Sequence, residues 1–373
     1  MHKNNNLCIE NRPLLLAKKL VGLNSENPPA NCTECGQYIF DFLKKLGLKP
    51  IKQFINNKLF NVIVIGKGPL LIQGHFDTVP FGDLKKWKYN PSGEIAQSKL
   101  FGRGSADMKG GIACFLAALQ KNPTDQISMI WTAIEENSFI GIKKAMELQK
   151  TNLRHVKYSI TIEPTNGKLI TCNKGQYWFE ITAKGKTAHS SAPELGINAI
   201  ERLTAVIPKI KSYEKQISRR SHKLLGRATL NIGVIKGGIA PNVVPDNASM
   251  IIDRRVITSE KPKQIIREME QVAAPNKTTL LKRIDPAETP INSKIVKFMQ
   301  RILKSEKLDT RVYGYKATAE LSEIRKHGIE GVIFGTGQLS QAHKENEFMT
   351  LEELVAGERI IAKLIEFAII EII

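Results

Sequence analysis

The sequence predicts an α/β protein in which a ferredoxin-like α+β unit interrupts a sheet-based domain. Three observations lead there. Short apolar, β-branched runs alternate with helical patterns through the first 174 residues, as in a sheet covered by helices. Between residues 175 and 286 the order becomes strand, helix, strand, strand, helix, strand, the βαββαβ unit of the ferredoxin-like fold. The first kind of pattern then resumes near Ala287, so the expected domains are 1–174 with 287–373, and an insertion at 175–286.

In chain order, helices are predicted over Arg12–Leu23, Thr33–Leu46 and Lys109–Gln120. Strands are predicted over Leu59–Ile65, Leu70–Gly74, Ile127–Ile134 and Tyr158–Ile162. Most of these are too apolar to keep a solvated face, which suits a sheet buried on both sides. The insertion gives strands Tyr177–Thr182, Thr229–Ile235, Ala248–Val256 and Thr278–Leu281, with helices Asn198–Lys211 and Lys261–Val272. A last helix starts at Thr350, where Thr350-Leu351-Glu352-Glu353 matches a capping box.

Composition narrows the function classes. The chain has 373 residues, 42% of them hydrophobic, and a formal net charge of +19. That length suits two domains at about 150 residues each. Charges break every apolar run well short of the roughly 18 residues a spanning helix needs. Leu14-Leu15-Leu16 is too short for a signal peptide, so a cytoplasmic protein without a membrane partner is expected. The five cysteines (Cys8, Cys32, Cys35, Cys114, Cys172) are scattered, which points to reduced thiols. Cys32-Thr33-Glu34-Cys35 has redox spacing but no companion pair. The densest basic clusters, Lys85-Lys86-Trp87-Lys88 and Arg219-Arg220-Ser221-His222-Lys223, lie in no nucleic-acid fold signature. The basic surface is read as one that draws in anionic metabolites, with no specific nucleic-acid partner.

The chemistry concentrates where apolar runs end, the place where open α/β sheets bind ligands. Leu70–Gly74 runs into His75 and Asp77, Ile127–Ile134 into Glu135 and Glu136, and Ser159–Ile162 into Glu163. Gly331–Phe334 leads to His343, and Asp107 sits in the Gly-rich turn from Gly102 to Gly111. Charged groups directly after buried strands cost several kcal/mol if unpaired, on the order given for buried charge, so these should converge on cations. Imidazoles and carboxylates without adjacent cysteine suit Zn²⁺, with Co²⁺ or Mn²⁺ as substitutes. Such a set serves two ions if one carboxylate bridges, and Asp107 is the natural bridge. Asp77 is placed to accept from the second nitrogen of His75. One of the adjacent glutamates can bind metal while the other acts as general base. Serine-hydrolase and phosphate-loop signatures are missing from the sequence.

Gly74-His75-Phe76-Asp77-Thr78-Val79-Pro80, Gly102 to Gly111, Glu135-Glu136, Glu163-Pro164 and Ala342-His343-Lys344-Glu345-Asn346-Glu347 together resemble the di-zinc aminoacylase and carboxypeptidase family. The resemblance implies a di-zinc exopeptidase-like catalytic domain with two Zn²⁺ per chain. One ion would take His75, Asp107 and Glu163, the other Asp107, Glu136 and His343, with Glu135 as general base. It also implies a cis Asp107-Met108 peptide. The insertion matches through Gly185 to Pro193 and Gly237 to Pro245, and in relatives forms the homodimer interface and lid. The histidine matching His189 then reaches a partner's active site, and Asn242 and Arg255 match substrate-carboxylate contacts. Asn242-Val243-Val244-Pro245-Asp246 with Asp253-Arg254-Arg255 resembles the acetylornithine deacetylase and succinyl-diaminopimelate desuccinylase branch. Ala317-Thr318-Ala319-Glu320 departs from it, because relatives carry an acid directly after the threonine. The expected function is removal of the acyl group from a small N-acyl amino acid, N-acetylornithine first. A desuccinylase or a glutamate carboxypeptidase-like peptidase is the alternative, and a metal-free binding protein the non-enzymatic one.

Overall fold

A computed structural model of the chain describes residues 12–370. Cys8 lies outside the described residues. Two compact units emerge: Cys172–Glu288 with Gly314–Thr318 forms the second, and the remainder of the chain forms the first. The expected insertion ran from 175 to 286.

The strands used below are β1 (Ile51–Phe54), β2 (Phe60–Val64), β3 (Leu70–His75), β4 (Ser128–Thr132), β5 (Tyr158–Thr161), β6 (Leu169–Asn173), β7 (Gly175–Lys184), β8 (Thr229–Gly237), β9 (Asn247–Val256), β10 (Lys277–Ile284) and β11 (Glu330–Ile333). The helices are α1 (Arg12–Gly22), α2 (Thr33–Lys45), α3 (Lys109–Lys121), α4 (Ala199–Thr204), α5 (Ile207–Ile217), α6 (Pro262–Ala273), α7 (Lys294–Ser305) and α8 (Leu351–Ile370).

The first unit is built on a nine-stranded mixed sheet in which seven strands run β1-β2-β4-β3-β5-β11-β6, with the short strands Ala287–Glu288 and Val312–Tyr315 both pairing with β6. Its centre is parallel: β3 pairs with β4 and β5, and β5 with β11. Every residue of β2, β3, β4 and β5 is buried, which explains runs without polar alternation. Helix α3 is buried from Lys109 to Leu119, packed against α1 and α8. Two positions of its first turn are too close-packed for a side chain. A Cβ on Gly110 would come 2.2 Å from the Ser105 carbonyl oxygen, and one on Gly111 2.7 Å from Ile162 Cγ2. Helix α8 begins with the expected capping box: Glu353 N donates to Thr350 Oγ1 at 3.0 Å, and Thr350 N to Glu353 Oε2 at 2.8 Å. No helix among the described residues is long and apolar enough to cross a membrane.

The second unit is an antiparallel sheet in the order β8-β9-β7-β10. Along β7 and β9, Tyr177, Phe179, Ile181, Met250 and Ile252 alternate inward with residues that are only half-buried. Buried residues of α4, α5 and α6, among them Leu203, Ile210 and Ile265, complete that core. At the longer of its two excursions the chain leaves and regains the first unit side by side, where Thr289 N donates to Thr171 O at 2.8 Å; the shorter one is Gly314–Thr318.

Two predicted elements change. The helix expected over Asn198–Lys211 is split into α4 and α5. Pro208, in the first turn of α5, has no N–H to continue α4, and Asn198 caps α4 by accepting from Ile200 N and Glu201 N. The strand expected to reach Ile134 stops at Thr132, because Ile134 adopts a left-handed conformation at φ 65°.

Candidate metal centre

The centre of the parallel sheet delivers its charged side chains to one end. His75 is the last residue of β3. Glu163 follows β5 by two residues, and Glu135 and Glu136 open a short helix three residues after β4. Asp107 precedes α3, joined to Met108 by a cis peptide. Backbone strain collects here. Ile134, immediately before the paired glutamates, and His343 both have positive φ (65° and 64°), a conformation that costs a β-branched residue on the order of 1–3 kcal/mol.

These side chains form two donor groups, His75 with Glu135 and Glu163, and Asp107 with Glu136 and His343. Within each, the ligand atoms lie within 4.8 Å of one another. Asp107 stands between the imidazoles, with Oδ1 3.3 Å from His75 Nε2 and Oδ2 3.5 Å from His343 Nε2. Glu136 Oε2 lies 3.1 Å from His343 Nε2. The sequence reading gave His75 and Glu163 a share of Asp107; the geometry also brings Glu135 within ligand range of that pair.

Asp77 faces the second nitrogen of His75, and does more besides. The Nδ1 of His75 meets the backbone carbonyl of Asp77 at 3.0 Å, while the carboxylate stays at 3.6 Å. That carboxylate also accepts from Glu135 N (3.0 Å), Glu136 N (3.2 Å) and Asn27 Nδ2 (2.8 Å). It therefore fixes the turn carrying both glutamates.

The electrostatics are those of a place built for cations. Burial pushes the carboxyls of Glu135 and Glu163 well above the usual range, and their negative neighbours push further. Burial alone would depress His75, yet the facing Glu135, Asp107 and Asp77 raise it well above the ordinary imidazole value. His343, bonded to Asp107 and Glu136, is pushed up to about 11. Asp107 Oδ1 is buried without a hydrogen-bond partner. Carboxylates at Asp77, Asp107, Glu135, Glu136 and Glu163 outnumber the imidazoles, and an all-nitrogen-and-oxygen donor set of this kind fits two divalent ions.

The remaining predicted residues belong to the second unit. His189 is exposed, with Nδ1 2.7 Å from Ser191 Oγ, and pairs with Val243 across an isolated bridge beside the exposed Asn242. Arg255 is half-buried; its Nε donates to Asp253 Oδ2 at 3.1 Å and its guanidinium to Thr318 Oγ1 at 3.1 Å. Cys32 and Cys35 are free and buried, and burial with the nearby Asp77 lifts the Cys32 thiol to about 12, as suits an inert core thiol.

Sequence reasoning missed three residues around the centre. Asn27 holds Asp77 across 50 positions of sequence. Glu347, fully buried, accepts from Ala106 N (2.9 Å), Asp107 N (3.1 Å) and Arg103 (2.8 Å), tying the His343 loop to the Asp107 turn. Its place in the quoted His343–Glu347 motif was the available signal. Glu320, singled out only as a departure from pattern, is fully buried and bonds Gln73 and Thr132.

Comparison with known proteins agrees with this geometry. The profile of the family described as Peptidase family M20/M25/M40 matches residues 71–366. A probable carboxypeptidase of Aspergillus clavatus is 32% identical over 88% of this chain and 83% of its own length. An acetylornithine deacetylase of Buchnera aphidicola is 31% identical over 85% of this chain and 86% of its own. Among solved structures, an M20 family metallo-carboxypeptidase from Sulfolobus solfataricus superposes with a TM-score of 0.81 at 19% identity, covering 96% of this chain and 99% of that one.

Proposed function

The chain is a member of peptidase family M20/M25/M40, a metal-dependent hydrolase acting on amide bonds, and from that premise we propose that it frees an amino acid from its N-acyl derivative, N-acetylornithine first, as a cytoplasmic homodimer. The observation that supports a two-metal hydrolase best is Asp107, which presents one oxygen to each imidazole. In this reading His75, Asp107 and Glu163 hold one zinc, and Asp107, Glu136 and His343 the other. Bound divalent ions supply Lewis acidity, polarising the scissile carbonyl and acidifying water. Glu135, fixed by Asp77, takes the proton of the attacking water and returns it to the departing amine. Arg255 and Asn242, at opposite ends of β9, would contact the substrate's carboxylate, and His189, which neighbours Asn242, would donate to the developing oxyanion in a second copy's site.

A carboxypeptidase reading has its own support, because relatives described as probable carboxypeptidases match as well as the acetylornithine deacetylases do. The deciding experiment is a panel of N-acetylornithine, N-succinyl-diaminopimelate and dipeptides, each tested with Zn²⁺ and Co²⁺ for release of free amine. A kcat/KM at least about tenfold higher for another substrate, some 1.4 kcal/mol in transition-state binding, replaces acetylornithine while leaving the amidohydrolase.

A further inference from the structure

Glu320 precedes the short helix Leu321–Lys326, yet its side chain makes no cap to that helix. It turns into the sheet instead, and the residue is fully buried. There Oε2 accepts from Gln73 Nε2 and, at 2.7 Å, from Thr132 Oγ1. Thr132 Oγ1 lies also 3.3 Å from the Gly74 carbonyl oxygen. Gln73 precedes His75 by two residues, so the two side chains share one side of β3. Thr132 is the ladder partner of His75 and the last residue of β4, three positions before Glu135. One carboxyl group thus grips the two strands that deliver a ligand imidazole and the paired glutamates, while touching none of those side chains itself.

We propose that Glu320 is a positioning residue for the metal centre, setting the separation of His75 from Glu135 and Glu136 by clamping Gln73 on β3 to Thr132 on β4. A buried carboxyl group is costly in a sheet core and is not needed to join two strands already paired by backbone hydrogen bonds. Its placement one layer behind the ligands gives it a task that an apolar residue cannot do. Burial pushes its carboxyl up to about 8. Glutamine offers the same pattern of one acceptor and one donor group as the neutral acid. The inference rests on the two-metal reading of the centre and on no choice of substrate.

The test compares Glu320→Gln, Glu320→Leu and Thr132→Val with the full-length parent protein. Metal retention is measured by chelator competition, ligand geometry by the visible spectrum of the Co²⁺-loaded protein, and turnover by kcat and KM. Glu320→Leu should weaken metal retention at least about tenfold, the usual scale for a group that orients ligands. It should also alter the Co²⁺ spectrum and lower kcat with KM little changed. Glu320→Gln should restore spectrum and retention, and Thr132→Val should move both the same way by less. A parental spectrum and retention in Glu320→Leu overturns the proposal, as does a Glu320→Gln protein no better than the leucine variant. If the leucine variant fails to fold, Thr132→Val decides: a shifted spectrum supports the clamp and an unchanged one overturns it. A parent protein that binds no cation overturns the two-metal reading itself, a result distinct from any of these.

Discussion

Buried charge in the second unit and buried charge in the first are balanced by different means. In the second unit Arg254, fully buried in an otherwise apolar row of β9, is met by Glu260, which also takes Arg220 at 3.1 Å. Arg220 in turn holds Glu268 at 2.7 Å, and Tyr213 donates to the same carboxylate at 2.8 Å. Each charge there has an opposite one supplied by the chain. In the first unit Asp77, Asp107, Glu135, Glu136 and Glu163 crowd around His75 and His343, and Asp107 Oδ1 lacks any hydrogen bond. Internal balance marks architecture; a surplus of one sign, held in place by strained backbone, marks a place for a ligand of the other sign.

Five substitutions or conditions break that contrast, in falling order of effect. Glu135→Gln should leave both ions bound and reduce kcat by roughly two to four orders of magnitude, the scale of general acid and base groups. Glu136→Gln should instead loosen one ion, and metal analysis beside kinetics separates the two. If Glu135→Gln strips a metal while Glu136→Gln keeps both, the roles are exchanged. In the balanced network, Glu260→Gln leaves Arg254 buried without a countercharge. Urea unfolding should show a loss of about 3–5 kcal/mol, the range for a broken buried pair, with metal content per folded chain unchanged.

Glu347→Ala sits between these cases, because its carboxylate belongs to the chain but serves the Asp107 turn. Chelator competition should find metal held about 10- to 100-fold less tightly, and full retention would make Glu347 a purely architectural residue. The smallest effect is a pH dependence in the second unit. Although burial works the other way, Arg220, Gln264 and Tyr213 hold the Glu268 carboxyl down to about 2, below its ordinary 4.5. Its contribution is therefore complete above about pH 4.5 and fades as pH falls toward 2. Denaturation curves across that window should flatten in Glu268→Gln, and an unchanged slope would show that solvent screening cancels the pair.

Four of the candidate ligands, His75, Glu135, Glu136 and Glu163, were legible because each stands within a few residues of an apolar run, and burial of that run decides where it must end. His75, Glu135 and Glu163 needed no knowledge of distant parts of the chain. Asn27 and Glu320 did, since their contacts with Asp77, Gln73 and Thr132 join segments that nothing in local patterning connects. The βαββαβ order was legible for the same local reason, whereas the attachment of Gly314–Thr318 to the second unit was not. The role of Asp77 was legible in part. Spacing by two placed its side chain near His75, where Oδ1 lies 3.6 Å from Nδ1, but gave no sign of the closer backbone carbonyl or of the bonds from the carboxylate to the glutamate turn.

The single bond from Thr289 N to Thr171 O has a consequence for how such a protein can be lengthened or shortened. That bond brings the two ends of the excursion from Cys172 to Glu288 side by side, and the ladder continues into it through Glu288 with Cys172 and Ala287 with Asn173. Closing a loop grows dearer only with the logarithm of its length, about 0.6 kcal/mol for each doubling. The junction thus governs where an excursion is held rather than how long it is, and a foreign module grafted between Thr171 and Thr289 would also have to supply a partner for Gly314–Thr318.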